Sequence, residues 1–365
     1  MIPRTIAGAP AAEIQGWLRA RLFSSWSSAI VTLVILYLAF KVLVPLIDWA
    51  FIGAVWSPAH ANLCRENIGQ GACWAFVADK YRFILFGTYP VDEQWRPAVV
   101  IVLLLALIGL SAAQVLRRAN LFAIWFGGLA VLAFLMWGGL FGLGYVENER
   151  WGGLTLTLLI SSFGIALAFP LSICLALGRR SDMPLVRWLS IAYIELIRGV
   201  PLISVLFMAS VMVPLFLPTG LSIDKLLRAQ LAMILFAAAY LAEVVRGGLQ
   251  AIPRQQEEAA LALGHNYWQR TWYITLPQAL RIAIPPLVNT FIGFFKDTSL
   301  VVIIGLFDFL TTIKVSLTDP KWTGFGVEAY LFAALGYWLF CYPMSRYSQK
   351  LERDGGTKPG ALREN

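Results

Sequence analysis

Histidine is nearly absent from this 365-residue chain, which has two, and cysteine is scarce, with four. Two histidines cannot build a histidine-rich metal centre, and four cysteines in so long a chain make no disulfide framework. Charge is also sparse: Asp, Glu, Lys and Arg make up 14% of residues, against roughly 25% in soluble domains. No Gly-Lys dipeptide occurs, so the Gly-x-x-x-x-Gly-Lys loop that grips phosphates is missing, as are His-Glu-x-x-His and Gly-x-Ser-x-Gly. These absences remove the common routes to nucleotide hydrolysis, zinc-assisted hydrolysis and serine acyl transfer. What is present is apolar: 59% of residues are hydrophobic and the mean hydropathy is +0.70. The balance excludes an ordinary soluble enzyme, a disordered chain and a nucleic-acid-binding domain, and describes an all-α polytopic membrane protein.

A helix needs about 20 mostly apolar residues to cross about 30 Å of hydrocarbon. Eight such runs occur, over 29–52, 97–115, 121–141, 154–178, 199–218, 229–247, 283–305 and 327–345. The first is too long for a cleaved signal peptide, and no small-residue cleavage site follows Pro45, Asp48 and Trp49. With the N-terminus inside, segments on that side carry 16 Lys/Arg against 7 Asp/Glu, Arg4, Arg19, Arg117, Arg118, Lys358 and Arg363 among them. The opposite side carries 9 of each sign. The net charge of +8 is therefore topological: it places both termini in the cytoplasm and implies no nucleic-acid partner.

Texture divides the chain. Residues 1–150 read as an accessory block of three spans with one long outer loop, 57–96, and residues 151–349 as a five-span working unit. The remaining 350–365 form a charged, Gly/Pro-rich tail expected to be loose. Cys64 and Cys73 lie on the outer loop nine positions apart, and two readings stand open: a disulfide in an oxidising periplasm, or two free thiols. Cys174 and Cys341 fall inside spans and read as small buried apolar groups. Lys41 and Asp48 are the only charges in the first three spans; they either pair across two turns or each turn to a polar partner.

Charges inside the membrane are costly and mark sites or structural pairs. A Glu-x-x-Arg-Gly core occurs twice, at Glu195/Arg198 and Glu243/Arg246. Residues three apart share a helix face, so each couple is expected to pair, in a structural or gating role. Residues 188–218 are too long for one perpendicular span. The stretch 188–198 is therefore expected to run along the inner interface, with Pro201 starting the crossing. Lys296, Asp297, Thr298 and Ser299 lie about 16 Å beyond a helix start at Pro285-Pro286, at 1.5 Å per residue. They supply a cation, a carboxylate and two hydroxyls within one turn, the groups a zwitterionic amino acid needs. The alternative is a self-neutralising Lys–Asp pair that specifies assembly.

The longest inner loop, 248–282, is the most ordered in its pattern. Pro253 suits the first turn of a helix and Gly264 its stop, and a second short helix, roughly 267–275, ends before Pro277. Ala259, Ala260 and Leu263 allow close packing, which points to a docking face; the alternative is a loop that only packs on its own spans. Glu258-Ala259-Ala260, Gly264, Ile274, Leu276 and Pro277 resemble the EAA signature of ATP-binding-cassette importer permeases, in spacing as well as type. YIELIRGVPL (193–202), LPQALRIAIPPLVN (276–289) and KDTSLVVIIG (296–305) are similar to the polar amino-acid permease subfamily, and the extra N-terminal spans resemble the longer permease subunit of general L-amino-acid uptake systems. Gln256 departs from that pattern, where glycine is common.

The resemblance implies a type I importer permease core of five spans in a bacterial inner membrane, with the loop forming coupling helices. Its implied partners are a homologous second permease, two ATPase subunits and a periplasmic amino-acid-binding protein. ATP and Mg would be bound by the ATPase, with no cofactor or metal in this chain. Two rivals remain. An ion-coupled secondary transporter would use Asp297 as its coupling carboxylate, and a membrane-embedded enzyme would need a constellation that His60 and His265, on opposite sides, do not supply.

Overall fold

The computed structural model describes residues 16, 20–66, 69–113, 121–218, 220 and 222–355. Arg4, Arg19, Arg117, Arg118, Lys358, Arg363 and the last ten residues of the tail lie outside them. The described chain is helical and forms two compact units, 1–79 and 80–365.

In the first unit, helix α1 (Trp26–Ile47) starts at Ser25, whose hydroxyl accepts the Ser28 N–H at 3.2 Å. It is apolar over most of its surface, and none of its residues is buried among the described residues, the character of a lipid-facing helix. Lys41 lies over the Tyr37 ring at 5.8 Å and makes no ion pair with Asp48 among the described residues. Beyond α1, the backbones of Gly53 and Gly71 approach so closely that a Cβ on Gly71 would sit 1.8 Å from the Gly53 carbonyl oxygen. Helix α2 (Ala61–Glu66) carries Cys64, which is disulfide-bonded to Cys73 with a Cα–Cα distance of 5.6 Å. The Trp74 indole N–H donates to the Ala50 carbonyl at 2.7 Å, so the segment after α2 is stapled back to the end of the first span.

The second unit takes in the end of α3 (Ala75–Phe86), then α4 (Trp95–Ala112), α5 (Leu121–Trp137), α6 (Gly153–Arg179), α7 (Pro184–Gly199), α8 (Leu202–Phe216) and α9 (Lys225–Gln250). After these come α10 (Arg254–Ala262), α11 (Tyr267–Gln269), α12 (Leu276–Asp297), α13 (Phe309–Ser316) and α14 (Gly326–Gly355). Helix α9 lies against α6 and α12. Its buried stripe is built from Ala229, Ala232, Ala237, Ala238, Ala239 and Ala242, small residues that let helices approach where water supplies no driving force. Gly248 carries this furthest, since a Cβ there would lie 2.4 Å from the Ala279 carbonyl oxygen.

Five helices are long and apolar enough to cross a membrane: Trp26–Ile52, Val91–Ala112, Gly153–Arg179, Lys225–Gln250 and Tyr267–Ile304. The pair α7/α8 makes a sixth if counted as one span bent by 102°. Of the eight expected, two fall short by this measure. The 121–141 run yields only 17 helical residues in α5, and α14, though 30 residues long, carries Glu328, four Tyr and Trp338, which lower its hydropathy. The bend at Pro201 has a local cause. Val200 (φ −113°, ψ 135°) and Pro201 (φ −61°, ψ 142°) are both extended, as the clash of a proline ring with the preceding residue requires.

Three expectations need correction. Pro285 and Pro286 do not start a helix but lie inside α12; the carbonyls they leave without a donor belong to Arg281 and Ile282, which are exposed. Cys174 is exposed and Cys341 half-buried, because each faces outward from its own helix. The tail is helical as far as Gly355, where Gln, Lys, Leu, Glu and Arg are all good helix formers.

Arg96, at the start of α4, is fully buried and ties α4 to the end of α5 and the segment after it. It donates to the carbonyls of Leu135 (2.6 Å), Gly144 (2.8 Å) and Met136 (3.2 Å), with Glu93 at 3.4 Å. Arg96→Leu leaves the Leu135 and Gly144 carbonyls without this donor, while Met136 keeps the Tyr89 hydroxyl at 2.9 Å, and is expected to cost about 3 kcal/mol on the scale of buried unsatisfied groups. Thermal unfolding of the purified subunit in detergent reads that loss. In the segment between α13 and α14, Asp319 pairs with Lys80 of α3 at 2.6 Å. The Lys80 hydrogen bond holds the Asp319 carboxyl below its ordinary range. The pair's stabilisation is therefore present above the ordinary carboxylate pKa and is lost as pH falls through the lowered value. Asp319→Asn is expected to flatten the acid limb of the melting-temperature profile.

Candidate functional site

The ordered turn between α9 and α12 is built by local chemistry. Pro253 (φ −61°, ψ 137°) opens α10, where its missing N–H costs nothing. The helix stops on Gly264 at φ +80°, whose N–H reaches the Leu261 carbonyl at 2.9 Å while the His265 N–H returns to Ala260 at 3.1 Å. A Cβ on Gly264 would meet nothing within 4 Å, so glycine is required there by the left-handed backbone and not by space. Asn266 and Gln269 then cap α11 reciprocally, both bonds at 2.9 Å.

The second short helix does not end before Pro277. A π-turn, Arg270–Thr275, carries the chain without a break into α12. Pro277 sits in the first turn of α12, where the widened ladder has already given up the bond that a proline cannot make.

This turn divides the motif residues between anchor and surface. Ala260 and Leu276 are buried and Ile274 half-buried, whereas Glu258, Ala259, Gly264 and Pro277 are exposed. Leu263 is 77% and Tyr273 78% exposed, so the outward side carries apolar groups that this chain does not cover. Arg180, which ends α6, fixes the turn from behind: it donates to Glu257 at 3.1 Å and to the Leu249 carbonyl at 3.2 Å. The turn is thereby tied to the ends of both α6 and α9.

Beside it, the two Glu-x-x-Arg-Gly motifs interlock. Glu243 pairs with Arg246 as expected, but Glu195 does not pair with Arg198. Glu195 takes Arg179 at 2.9 Å, and Arg198 reaches across to Glu243 at 3.8 Å. Arg179 also bonds Glu243 at 3.3 Å, so one carboxylate gathers three guanidinium groups from α6, α7 and α9. The 102° bend explains the exchange of partners, because it turns α7 across the ends of α6 and α9.

The four residues expected on a substrate path lie at the other end of α12. Lys296 is exposed and Asp297 and Ser299 are half-buried, while Thr298 is buried with its hydroxyl donating to the Phe295 carbonyl at 2.7 Å. No ion pair joins Lys296 to Asp297 among the described residues. Nearby Asp308 is fully buried and caps α13, accepting the Leu310 and Thr311 N–H groups at 3.0 Å each. The Tyr337 hydroxyl donates to it at 3.4 Å, and the Phe309 N–H donates to Thr157 on α6 at 2.9 Å. Arg179, Arg180 and Asp308 were missed from sequence. Asp308-Phe-Leu-Thr311 does carry a helix-cap pattern that could have flagged it. Among the described residues no three His, Cys, Asp or Glu side chains gather to hold a metal ion.

The comparisons agree with this architecture. Residues 168–354 match the family described as binding-protein-dependent transport system inner membrane component. The chain is 50% identical over 341 residues to the inner membrane amino-acid ABC transporter permease protein YhdY of Escherichia coli K12, covering 92% of each. It is 39% identical over 402 residues to the glutamate/glutamine/aspartate/asparagine transport system permease protein BztC of Rhodobacter capsulatus, again covering 92% of each. Among solved structures it resembles that of an amino acid ABC transporter with histidines, with a TM-score of 0.50 and 27% identity, over 55% of this chain and 92% of that one. The chain belongs to the binding-protein-dependent inner membrane component family: it is a multi-pass inner-membrane permease subunit of an amino-acid ABC importer.

Proposed function

We propose that the exposed side of α10 and α11 is the seat of an ATPase subunit, and that its movement is passed to the spans through Arg180. The observation that carries this reading is the double tie of that residue to Glu257 and to the end of α9. A turn fixed to two spans moves them as rigid bodies, whereas a free loop would absorb the push. In this reading the turn and both termini are cytoplasmic. The five-span core pairs with a homologous second permease, and two ATPase subunits bind ATP and Mg. The chain itself is a transport subunit and not an enzyme.

A periplasmic binding protein delivers an L-amino acid to the far end, and Lys296, Asp297 and Ser299 stand on its path. Thr298, buried and already hydrogen-bonded, supports that turn from behind. The name of BztC makes glutamate, glutamine, aspartate and asparagine the first substrates to test. The test is to tag the C-terminus, solubilise gently from the native membrane and identify what co-purifies by mass spectrometry. An ATPase with a second permease is expected. A chain that purifies alone and moves amino acids in proteoliposomes without ATP would overturn the reading.

A further inference from the structure

A cleft of about 530 Å³ opens at the coupling end of the core, between the ends of α6 and α9 and the side of α7. Its charged lining is Arg179, Arg180, Arg187, Arg246 and Arg254, and no carboxylate lines it. The balancing acids stand behind: Glu243 holds Arg179 and Arg246, Glu195 holds Arg179, and Glu257 holds Arg180. A guanidinium has five N–H donors in a rigid fork, so each of these three is fixed in place with donors to spare. Arg187 and Arg254 are exposed and make no ion pair among the described residues. The cleft thus combines guanidinium groups already oriented with two whose charge is not neutralised, a setting for the oxygens of a phosphate.

The neighbouring surface narrows the source of that phosphate. On α7, Leu185, Trp188 and Leu189 are 67%, 65% and 51% exposed, directly beside Arg187. Apolar residues with a tryptophan next to arginine are the makeup of a helix lying in a membrane interface. We propose that the cleft binds the phosphate group of an anionic phospholipid, the headgroup on the arginines and the acyl chains along the exposed side of α7. This goes beyond the transport reading and rests on it only for placing the cleft in the cytoplasmic leaflet. A soluble phosphate offers the same oxygens without the chains.

The test uses the intact permease–ATPase complex in nanodiscs of phosphatidylcholine with and without phosphatidylglycerol. Lipid retained after detergent extraction is measured by mass spectrometry, and binding of inorganic phosphate by competition. Arg187→Gln combined with Arg254→Gln is the informative variant, because neither change strands a carboxylate. The wild type is expected to retain phosphatidylglycerol, and the double variant to retain about thirtyfold less, the scale of two basic side chains at a membrane surface. A melting temperature equal to that of the wild type reports that the variant has folded. Inorganic phosphate that binds the wild type but not the variant, with no lipid retained, supports the phosphate site and makes its source soluble. Equal behaviour of the two proteins towards both probes overturns the proposal. Loss of the ATPase with lipid retention unchanged also overturns it, since the arginines would then be docking a protein.

Discussion

Replacing Gly264 with arginine is expected to abolish amino-acid uptake while the subunit still inserts in the membrane. Two costs combine. A residue with a Cβ held at φ +80° pays about 1–2 kcal/mol in the left-handed region, which loosens the stop of α10. A long cation then projects from a surface that carries Leu263 and Tyr273, into the space proposed for the ATPase. Loss of one central contact in an interface reaches about 3 kcal/mol, or about a hundredfold. Gly264→Ala pays only the backbone cost and is expected to keep most of the activity. Glu258→Lys, on the same exposed side, is expected to follow Gly264→Arg. Uptake by membrane vesicles, with immunoblots for insertion, separates the three. Equal uptake in Gly264→Arg and the wild type would remove the docking role.

The second large effect is expected at Glu243. Arg179, Arg198 and Arg246 share this carboxylate, so Glu243→Ala leaves Arg198 and Arg246 without their carboxylate beside Arg179, which keeps Glu195. Removing one partner of a buried ion pair costs about 3–5 kcal/mol. Glu243 retains 21% of its side-chain exposure, which screens the repulsion and lowers the expected loss to about 2–3 kcal/mol. Glu195 is 56% exposed and holds one arginine, so Glu195→Gln is expected to cost no more than about 1 kcal/mol. Thermal unfolding of the two variants gives the order directly. Uptake should fall with Glu243→Ala even below the melting temperature, because the network joins the helices that must move together.

Features that depend on neighbours in the chain were legible in the sequence. Pro253, Gly264 and the extended pair Val200-Pro201 set backbone angles within a residue or two of themselves, so α10 and the bent span could be placed before any coordinates. The Glu-x-x-Arg-Gly cores were read as pairs for the same reason, and there the local rule failed at one site. Glu195 and Arg198 share a helix face, but each has a better partner 16 and 45 residues away, brought in by packing that no spacing encodes. Arg96 was hidden likewise, since its carbonyl partners lie 39 to 48 residues on. Pro285-Pro286 misled because two prolines look like a helix start, yet the carbonyls they strand happen to face outward. The 327–345 span is ambiguous on composition because its aromatic residues, which serve packing between Phe295, Phe309 and Tyr337, lower its hydropathy.

The most direct measurement is site-directed cross-linking in the intact complex. Cysteine placed at Ala259, exposed on α10, should cross-link to the ATPase subunit in native membranes, and the yield should change when ATP is bound. Cysteine at Lys225, at the other end of α9, should give no such product. An ATPase cross-link at 225 and none at 259, or uptake that continues with the ATPase removed, would contradict the account.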